Sequence, residues 1–558
     1  MNWYYTFIDS LLFLFVLVML RHTFLRGRYF LHIFQLNGYK LNEFRQWLVE
    51  HWNSRVVMAE HILFNLIIFL MLYFMSNTVT GSAAIIVLTL FGLFWFGPFT
   101  YYRGEKPKKP LVFTARMIRL SIPFSLVCAV IPLLTIAISF LGRIPFTNIE
   151  ITSPLLYLAD IYLLSFGLVL GDTLVPFFIF IAGWLTAPIE KQVHNYYIRR
   201  AKEKLAQITD LKVIAITGSY GKTSTKFMIR DLLLERYSVC STPGSYNTPM
   251  GICKVINNDL DASHQILILE MGARYEGNID ELCDIAQPDI SVVTNVGLAH
   301  LETFGSQEAI ARTKSTLVKR LRPGGVAVLN ADDPHVRSMA ELRQDISVVM
   351  AGLERGEITA RDITYDHEGT RFTVHTENGD TELFQTRLLG VHNVQNLLLA
   401  IGVGSALGLR LKTMSLAASR IQPVEHRLEL RKQGELYVID DAFNSNPVGA
   451  RNAVEILSQF NTGRRIIVTP GMIELGDLQE QENRQFGEVI GRSGLDLVIL
   501  VGHKQTAPIR EGVLSTDFEV EKLKVVGSLY EANELIREYA QPGDVILYEN
   551  DLPDTFDE

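Results

Sequence analysis

The chain has 558 residues and a formal charge of −8, from 52 basic and 60 acidic side chains. That length calls for three or more domains. The acidic balance, with no clustered basic face in the last two-thirds, excludes nucleic acid as an expected partner. Cys128, Cys240, Cys253 and Cys283 show neither CxxC spacing nor close neighbours. They read as thiols of a reducing compartment, not as disulfide or metal positions.

Apolar and aromatic residues crowd the first third. Residues 3–20, 56–75, 83–101 and 118–141 are each long enough to cross about 30 Å of hydrocarbon. A further apolar region, 154–186, is interrupted by Gly171, Asp172 and Pro176, and reads as one kinked helix or as two short ones. Arg21, Arg26, Arg28, Lys40, Arg45 and Arg55 follow the first stretch; Arg103, Lys106, Lys108, Lys109 and Arg116 follow the third. Basic loops face the cytoplasm, so the expectation is a multi-span α-helical membrane region of about five spans, with the N-terminus outside and the rest of the chain cytoplasmic. Asp9, Glu60, His61, Asp160 and Asp172 lie in or beside these stretches, and Asp172 is the foremost functional candidate because an intramembrane carboxylate is costly. Residues 190–207, EKQVHNYYIRRAKEKLAQ, read as a juxtamembrane helix, either lying on anionic lipid or serving as a solvated linker.

The remainder is an α/β mixture. The segment 213–225, VIAITGSYGKTST, is a β-branched run that breaks into a glycine loop before a helical stretch at 226–236. Such a loop gathers backbone N–H groups on one spot, and the helix adds the positive end of its dipole. Gly218, Ser219, Tyr220, Gly221, Lys222, Thr223 and Ser224 therefore form a nucleotide-phosphate cradle, with Lys222 toward the β/γ-phosphates and Thr223 toward Mg²⁺. Apolar runs at 266–269, 290–294, 326–329 and 346–350 predict a mostly parallel sheet, and 360–389 a small antiparallel meander. Strands at 436–439, 465–469, 497–501 and 544–548 predict a second, dinucleotide-fold-like domain. Glu270 and His300 follow strand ends beside the phosphate loop and suit a divalent metal. The expected division is 1–188 membrane region, 189–210 linker helix, 211–422 central ATP-binding domain and 423–558 C-terminal α/β domain.

In order and spacing, TGSYGKTS, LEMGA (269–273), TNVGLAHLETFGS (294–306), LNADD (329–333), GVHNVQNLLLA (390–400), HRLE (426–429), IDDAFNSNP (439–447) and IELGD (473–477) resemble the Mur ligase superfamily. The nearest branch is the muramoyl-tripeptide:D-alanyl-D-alanine ligases. The resemblance implies a P-loop ATPase domain with Thr223, Glu270 and His300 on Mg²⁺. Lys314 falls where the family carries a carbamylated lysine that supports a second ion. It further implies Asn396 at the adenine, Arg427 and Asp441 closing on the nucleotide, Asn247 in a substrate loop, and Asn444 and Asn446 near the incoming amine. The implied reaction is ATP-dependent amide formation through an acyl phosphate, with Lys222, His300, Lys314, Asn444 and Asn446 as the catalytic set. Membrane stretches stand where soluble ligases grip a UDP-sugar. Thr316 and Phe443 replace a family glutamate and tyrosine, and Tyr548-Glu549-Asn550-Asp551 replaces a basic segment. The expectation is thus a plasma-membrane ligase acting on a lipid-linked carboxylate and an amine. A poly-amino-acid ligase is the alternative, and an ATP-driven transporter or a nucleotide-binding scaffold is more remote.

Overall fold

In the computed structural model, the described residues are 2–52, 111–141, 154–297, 301–423, 428–442, 447–473 and 478–550. The expected spans at 56–75 and 83–101, together with Glu60, His61, His300, Arg427, Asn444, Asn446 and Asp551, lie outside them. The chain divides into two compact units, Met1–Asn195 and Tyr196–Glu558.

The first unit is helical: α1 (Asn2–Leu36), α2 (Leu41–Glu50), α3 (Ala115–Leu141) and most of α4 (Pro154–Gln207). Two described helical stretches, Ala115–Ile138 and Phe166–Gln207, are long and apolar enough to cross a membrane. The region at 154–186 is one helix despite Pro176, and it runs without a break through the expected linker helix. Another difference concerns the basic segment after residue 20, which continues α1 and is not a loop. Tyr29, Phe30, Leu31 and Phe34 keep the helical period going, and Phe30 and Phe34 bury against Phe44, Met117, Phe124, Val175 and Ile179. Arg26 is thereby turned inward, 3 % exposed, with Nη1 3.5 Å from Asp172 Oδ2. His22 Nδ1 lies 2.9 Å from Asp172 Oδ1, to which the Thr23 hydroxyl donates at 3.0 Å. Outward, α3 presents Ile118, Ile122, Leu126, Val130, Leu133 and Ile138 to the surroundings. At 1.5 Å per residue that stripe is about 30 Å long.

The second unit carries two sheets. In the first, nine strands run in the order β2-β3-β1-β4-β5-β6-β7-β8-β9. β1 (Lys212–Thr217), β3 (Ile266–Glu270), β4 (Ile290–Val293) and β5 (Val326–Asn330) are parallel, hydrophobic and buried on both faces, as central strands of a covered sheet must be. β2 (Val239–Ser241) and β6 (Ser347–Gly352) flank them. The meander β7 (Ile358–Asp366), β8 (Gly369–Thr376) and β9 (Thr381–Thr386) is antiparallel but is not a separate sheet. It joins β6 in parallel at Ala351↔Ile358, and Phe372 stacks on Phe384 within the same core as Ile214, Ile268 and Val292.

The longer helices of this part are α5 (Lys222–Leu233), α6 (Pro249–Asn258), α7 (Asn278–Ile285), α8 (Gln307–Lys319), α9 (Val391–Ala406) and α10 (Leu411–Ala418). The second sheet has the order β10-β11-β15-β12-β13-β14, parallel except for the edge strand β10 (Glu429–Gln433). β11 (Leu436–Asp441), β12 (Arg465–Thr469), β13 (Leu497–Val501), β14 (Leu523–Val526) and β15 (Val545–Glu549) make up the rest, with α11 (Pro447–Ser458) packed on the same core. Glu549 is not a surface acid: it is fully buried, accepting from the Thr469 hydroxyl at 2.7 Å.

Because the meander shares the central core, Phe372→Ala should destabilise the whole second unit by about 3–5 kcal/mol. Urea unfolding of the purified chain checks this. A loss below about 1 kcal/mol would place the meander outside the core.

Candidate active site

The phosphate loop joins β1 to α5 at the carboxyl edge of the sheet, where parallel α/β sheets hold ligands. Two of its positions admit only glycine. A Cβ on Gly218 would lie 1.8 Å from Thr294 Oγ1, and one on Gly221, whose φ is +77°, would lie 2.6 Å from Asn396 Oδ1. The loop is fastened to the end of β4 by Ser219 N–H donating to the Asn295 carbonyl (3.0 Å), Tyr220 N–H to Asn295 Oδ1 (2.9 Å) and the Thr294 hydroxyl to the Tyr220 carbonyl (2.6 Å). α5 then starts at Lys222 with no side-chain cap, leaving its first N–H groups for an anion. Lys222 Nζ folds back onto the carbonyls of Gly218 (2.7 Å) and Ser219 (3.1 Å). Burial holds its pKa below the usual lysine range, against the opposing pull of Glu270.

Glu270 ends β3 with 1 % exposure. Its Oε2 accepts from the Thr223 hydroxyl at 2.8 Å and its Oε1 from Asn247 Nδ2 at 3.0 Å. Lys314 reaches the same neighbourhood from α8. That helix is capped by Ser306, whose Oγ accepts from Ala309 N–H at 3.2 Å, and Lys314 falls on the stripe it buries, between Ile310 and Leu317. Burial, reinforced by Lys222, lowers the Lys314 amine to about 7. Of the other expected residues, Asn396 is buried against Gly221, and Asp441 at the end of β11 accepts from Leu428 N–H at 3.1 Å.

Apart from Lys314, these parts face one cleft of about 650 Å³. Ser219, Tyr220, Lys222, Thr223, Ser224, Asn247, Glu270 and Asn396 line one side, and Asp441, Val448, Gly449 and Asn452 the other. Residues that sequence reasoning does not single out also line it: His392, Asn393, Gln395 and Gln422. The signal for the first three is the GVHNVQN run, in which polar residues head an otherwise apolar helix. The LNADD run braces the turn after β4: Asn330 Nδ2 donates to the Thr294 carbonyl (2.7 Å), and Asp333 Oδ2 accepts from Val296 N–H (2.7 Å).

The donor set suits ATP with Mg²⁺. Mg²⁺ characteristically takes one or two carboxylates and completes its sphere with phosphate oxygens and water. Thr223 and Glu270 offer such a set, and among the described residues no group of three His, Cys, Asp or Glu side chains forms an all-protein cage. The Lys314 shift has a checkable sign. An unfolded lysine titrates near 10.5 and the native one at about 7, so between these values only the unfolded chain holds the proton and stability rises with pH. Lys314→Met should therefore stabilise metal-free protein at pH 6, with the gain shrinking as pH rises from 7 toward 10. Urea midpoints across that range test it, and a gain independent of pH would contradict it.

Comparison with known proteins agrees with this geometry. The Mur ligase middle domain matches residues 216–404, and the Mur ligase glutamate ligase domain matches 426–548. The UDP-N-acetylmuramoyl-tripeptide–D-alanyl-D-alanine ligase of Bacillus subtilis is 32 % identical over 339 residues, covering 60 % of this chain and 72 % of that protein. Its counterpart in Mycobacterium tuberculosis is 34 % identical over 359 residues, 60 % of this chain and 70 % of that one. Among solved structures, MurF from Acinetobacter baumannii superposes with a TM-score of 0.57 at 29 % identity, covering 64 % of this chain and 77 % of that one. The MurF ligase of Thermotoga maritima, solved with ADP, gives 0.55 at 28 %, covering 64 % and 80 %. The chain belongs to the Mur ligase family and is an ATP-dependent carbon–nitrogen ligase joining an acid to an amino acid.

Proposed function

We propose that this ligase is membrane-anchored and amidates a lipid-linked cell-wall or surface-polymer precursor at the cytoplasmic face. The observation that carries the catalytic half is the convergence of the Lys222 loop, the Thr223–Glu270 pair and Asn396 on one cleft, with the buried Lys314 near enough to Lys222 to feel its charge. A carboxylate oxygen of the substrate attacks the γ-phosphorus of ATP, the bond to the β-phosphate oxygen breaks, and an acyl phosphate and ADP form. An uncharged amine then attacks the acyl carbon and loses a proton as phosphate leaves, giving the amide. Such transfer depends mainly on positioning and charge neutralisation.

Within that scheme the uncapped N–H groups of α5 and the Lys222 ammonium hold the phosphates, and Asn396 borders the nucleotide side of the cleft. Thr223 and Glu270, with His300 as a further ligand, would hold Mg²⁺, which would supply charge neutralisation for the transferring phosphoryl group. Lys314, lowered to about 7, has a substantial uncharged fraction near neutral pH, the form that takes up CO₂ as a carbamate and so would provide a carboxylate for a second ion. Arg427 and Asp441 close on the nucleotide from the C-terminal domain, and Asn444 and Asn446 meet the incoming amine. Closure over the cleft keeps water from the acyl phosphate.

The anchor is supported by the outward apolar stripe of α3 and by the length of α4. The relatives named above act on a UDP-linked muramoyl tripeptide and D-alanyl-D-alanine, so the acceptor is sought among muramoyl-peptide-like carboxylates and the amine among amino acids or dipeptides. The family match begins only at residue 216, after both long apolar helical stretches, which favours an acceptor delivered by lipid.

Lys222→Ala should cut ADP release at least about 100-fold while leaving membrane insertion intact; full turnover would overturn the assignment. Full-length protein in vesicles should amidate a lipid-linked acceptor faster than the same head group on soluble UDP. Equal rates would remove the lipid half and leave the ligase half standing.

A further inference from the structure

Among the described residues of the catalytic unit, Lys226 is a fully buried cation for which the reaction above has no use. It stands one turn beyond Thr223 on α5, so both side chains share a helix face, and both address the same atom. The Thr223 hydroxyl donates to Glu270 Oε2 at 2.8 Å, and Lys226 Nζ lies 3.7 Å from that oxygen. The same ammonium donates to the carbonyl of Gly244, in the loop between β2 and α6. This loop returns to the carboxylate through Asn247, whose Nδ2 donates to Glu270 Oε1 at 3.0 Å, while Gly272 N–H donates to the Asn247 carbonyl at 3.1 Å. A side chain on Gly272 would have its Cβ 2.8 Å from Asn247 Cγ, so strand end and loop are in close contact.

Helix, loop and strand end thus close a ring around Glu270, and Lys226 is the ion-pair partner within it. A carboxylate buried this deeply needs a compensating charge. A divalent cation brings two positive charges to a place where Lys226 supplies one, and like charges a few ångströms apart in a site of reduced dielectric repel strongly.

We propose that Lys226 is a positioning residue that acts as counter-ion to Glu270 when no cation is bound, and that it ties the 242–248 loop to the state of the cation site. A cation arriving at Glu270 competes with the ammonium, which keeps its hold on Gly244 as it yields the carboxylate. The loop bearing Asn247, which faces the cleft, therefore moves with cation binding, and acceptor binding becomes linked to metal loading. The inference rests on reading Glu270 as a cation ligand.

Mn²⁺ serves as the probe, with free Mn²⁺ followed by electron paramagnetic resonance in detergent-solubilised full-length protein with ADP, alongside amide exchange of residues 244–247. Wild-type protein should bind Mn²⁺, and the exchange of the loop should change on binding. Lys226→Met should bind Mn²⁺ about tenfold more tightly, with a loop that exchanges fast and no longer responds. A role limited to holding Glu270 in place would weaken Mn²⁺ instead. Lys226→Gln, which keeps a donor for Gly244, should tighten Mn²⁺ while keeping the loop protected, and it serves if the Met variant fails to fold. Unchanged or weaker Mn²⁺ binding in both neutral variants overturns the proposal. Failure of the wild type to bind Mn²⁺ with ADP, or wild-type affinity in Glu270→Gln, overturns the reading of the cation site itself.

Discussion

The catalytic unit is arranged around one buried carboxylate. Glu270 closes a strand whose five residues are all buried, so its charge has no water to turn to. Each donor that satisfies it comes from one of two elements: Thr223 and Lys226 from the helix after the phosphate loop, Asn247 from the loop after β2. Meeting that electrostatic demand fixes the helix, the loop and the strand end against one another. Lys222, desolvated beside the phosphate loop, then concentrates positive potential on the side where phosphates bind, and its charge raises the cost of protonating the buried Lys314. One anion among several cations is a site that gains stability when a polyanion arrives.

Further out, the fold supplies rigidity and enclosure. The Asn330 and Asp333 side chains take over backbone groups of the 294–297 turn, and the side chain and backbone of Asn295 in turn grip the phosphate loop. The second sheet, with Asp441 at the carboxyl end of β11, provides the opposite wall of the cleft. In the proposed reaction, closing this cleft would keep water from the acyl phosphate.

Much of this is legible in the chain. The buried parallel strands show as unbroken β-branched runs, and the phosphate loop shows in the spacing of its glycines. The short strand β2 and the edge strands β10 and β14 are not legible, because three to five residues with mixed polarity carry no clear period. α5 starts four residues earlier than the apolar pattern implies, since Lys222 and Thr223 form the first helical turn as well as the loop. Lys314 is reached through family likeness, yet its place between Ile310 and Leu317 at helical spacing is a signal in its own right: a cation inside an apolar stripe. Arg26 misleads for the converse reason. It sits in a run of basic residues that resembles a cytoplasmic loop, and only its distant partner Asp172 explains why the helix carries it inward. Long-range charge pairing of that kind leaves no local trace.

The unbroken course of α4 has a consequence for how the protein is made. Its last turns belong to the catalytic unit: Ala201 is buried in the same cluster as Leu211, Val213 and Leu269, and Lys204 donates to the Asn257 carbonyl at 3.0 Å. Synthesis runs from the N-terminus, so this stretch of helix is made before β1. The catalytic sheet then has that stretch of helix to pack against. A chain trimmed to begin at β1 would lack Ala201 and Lys204, and with them part of the packing that supports its core.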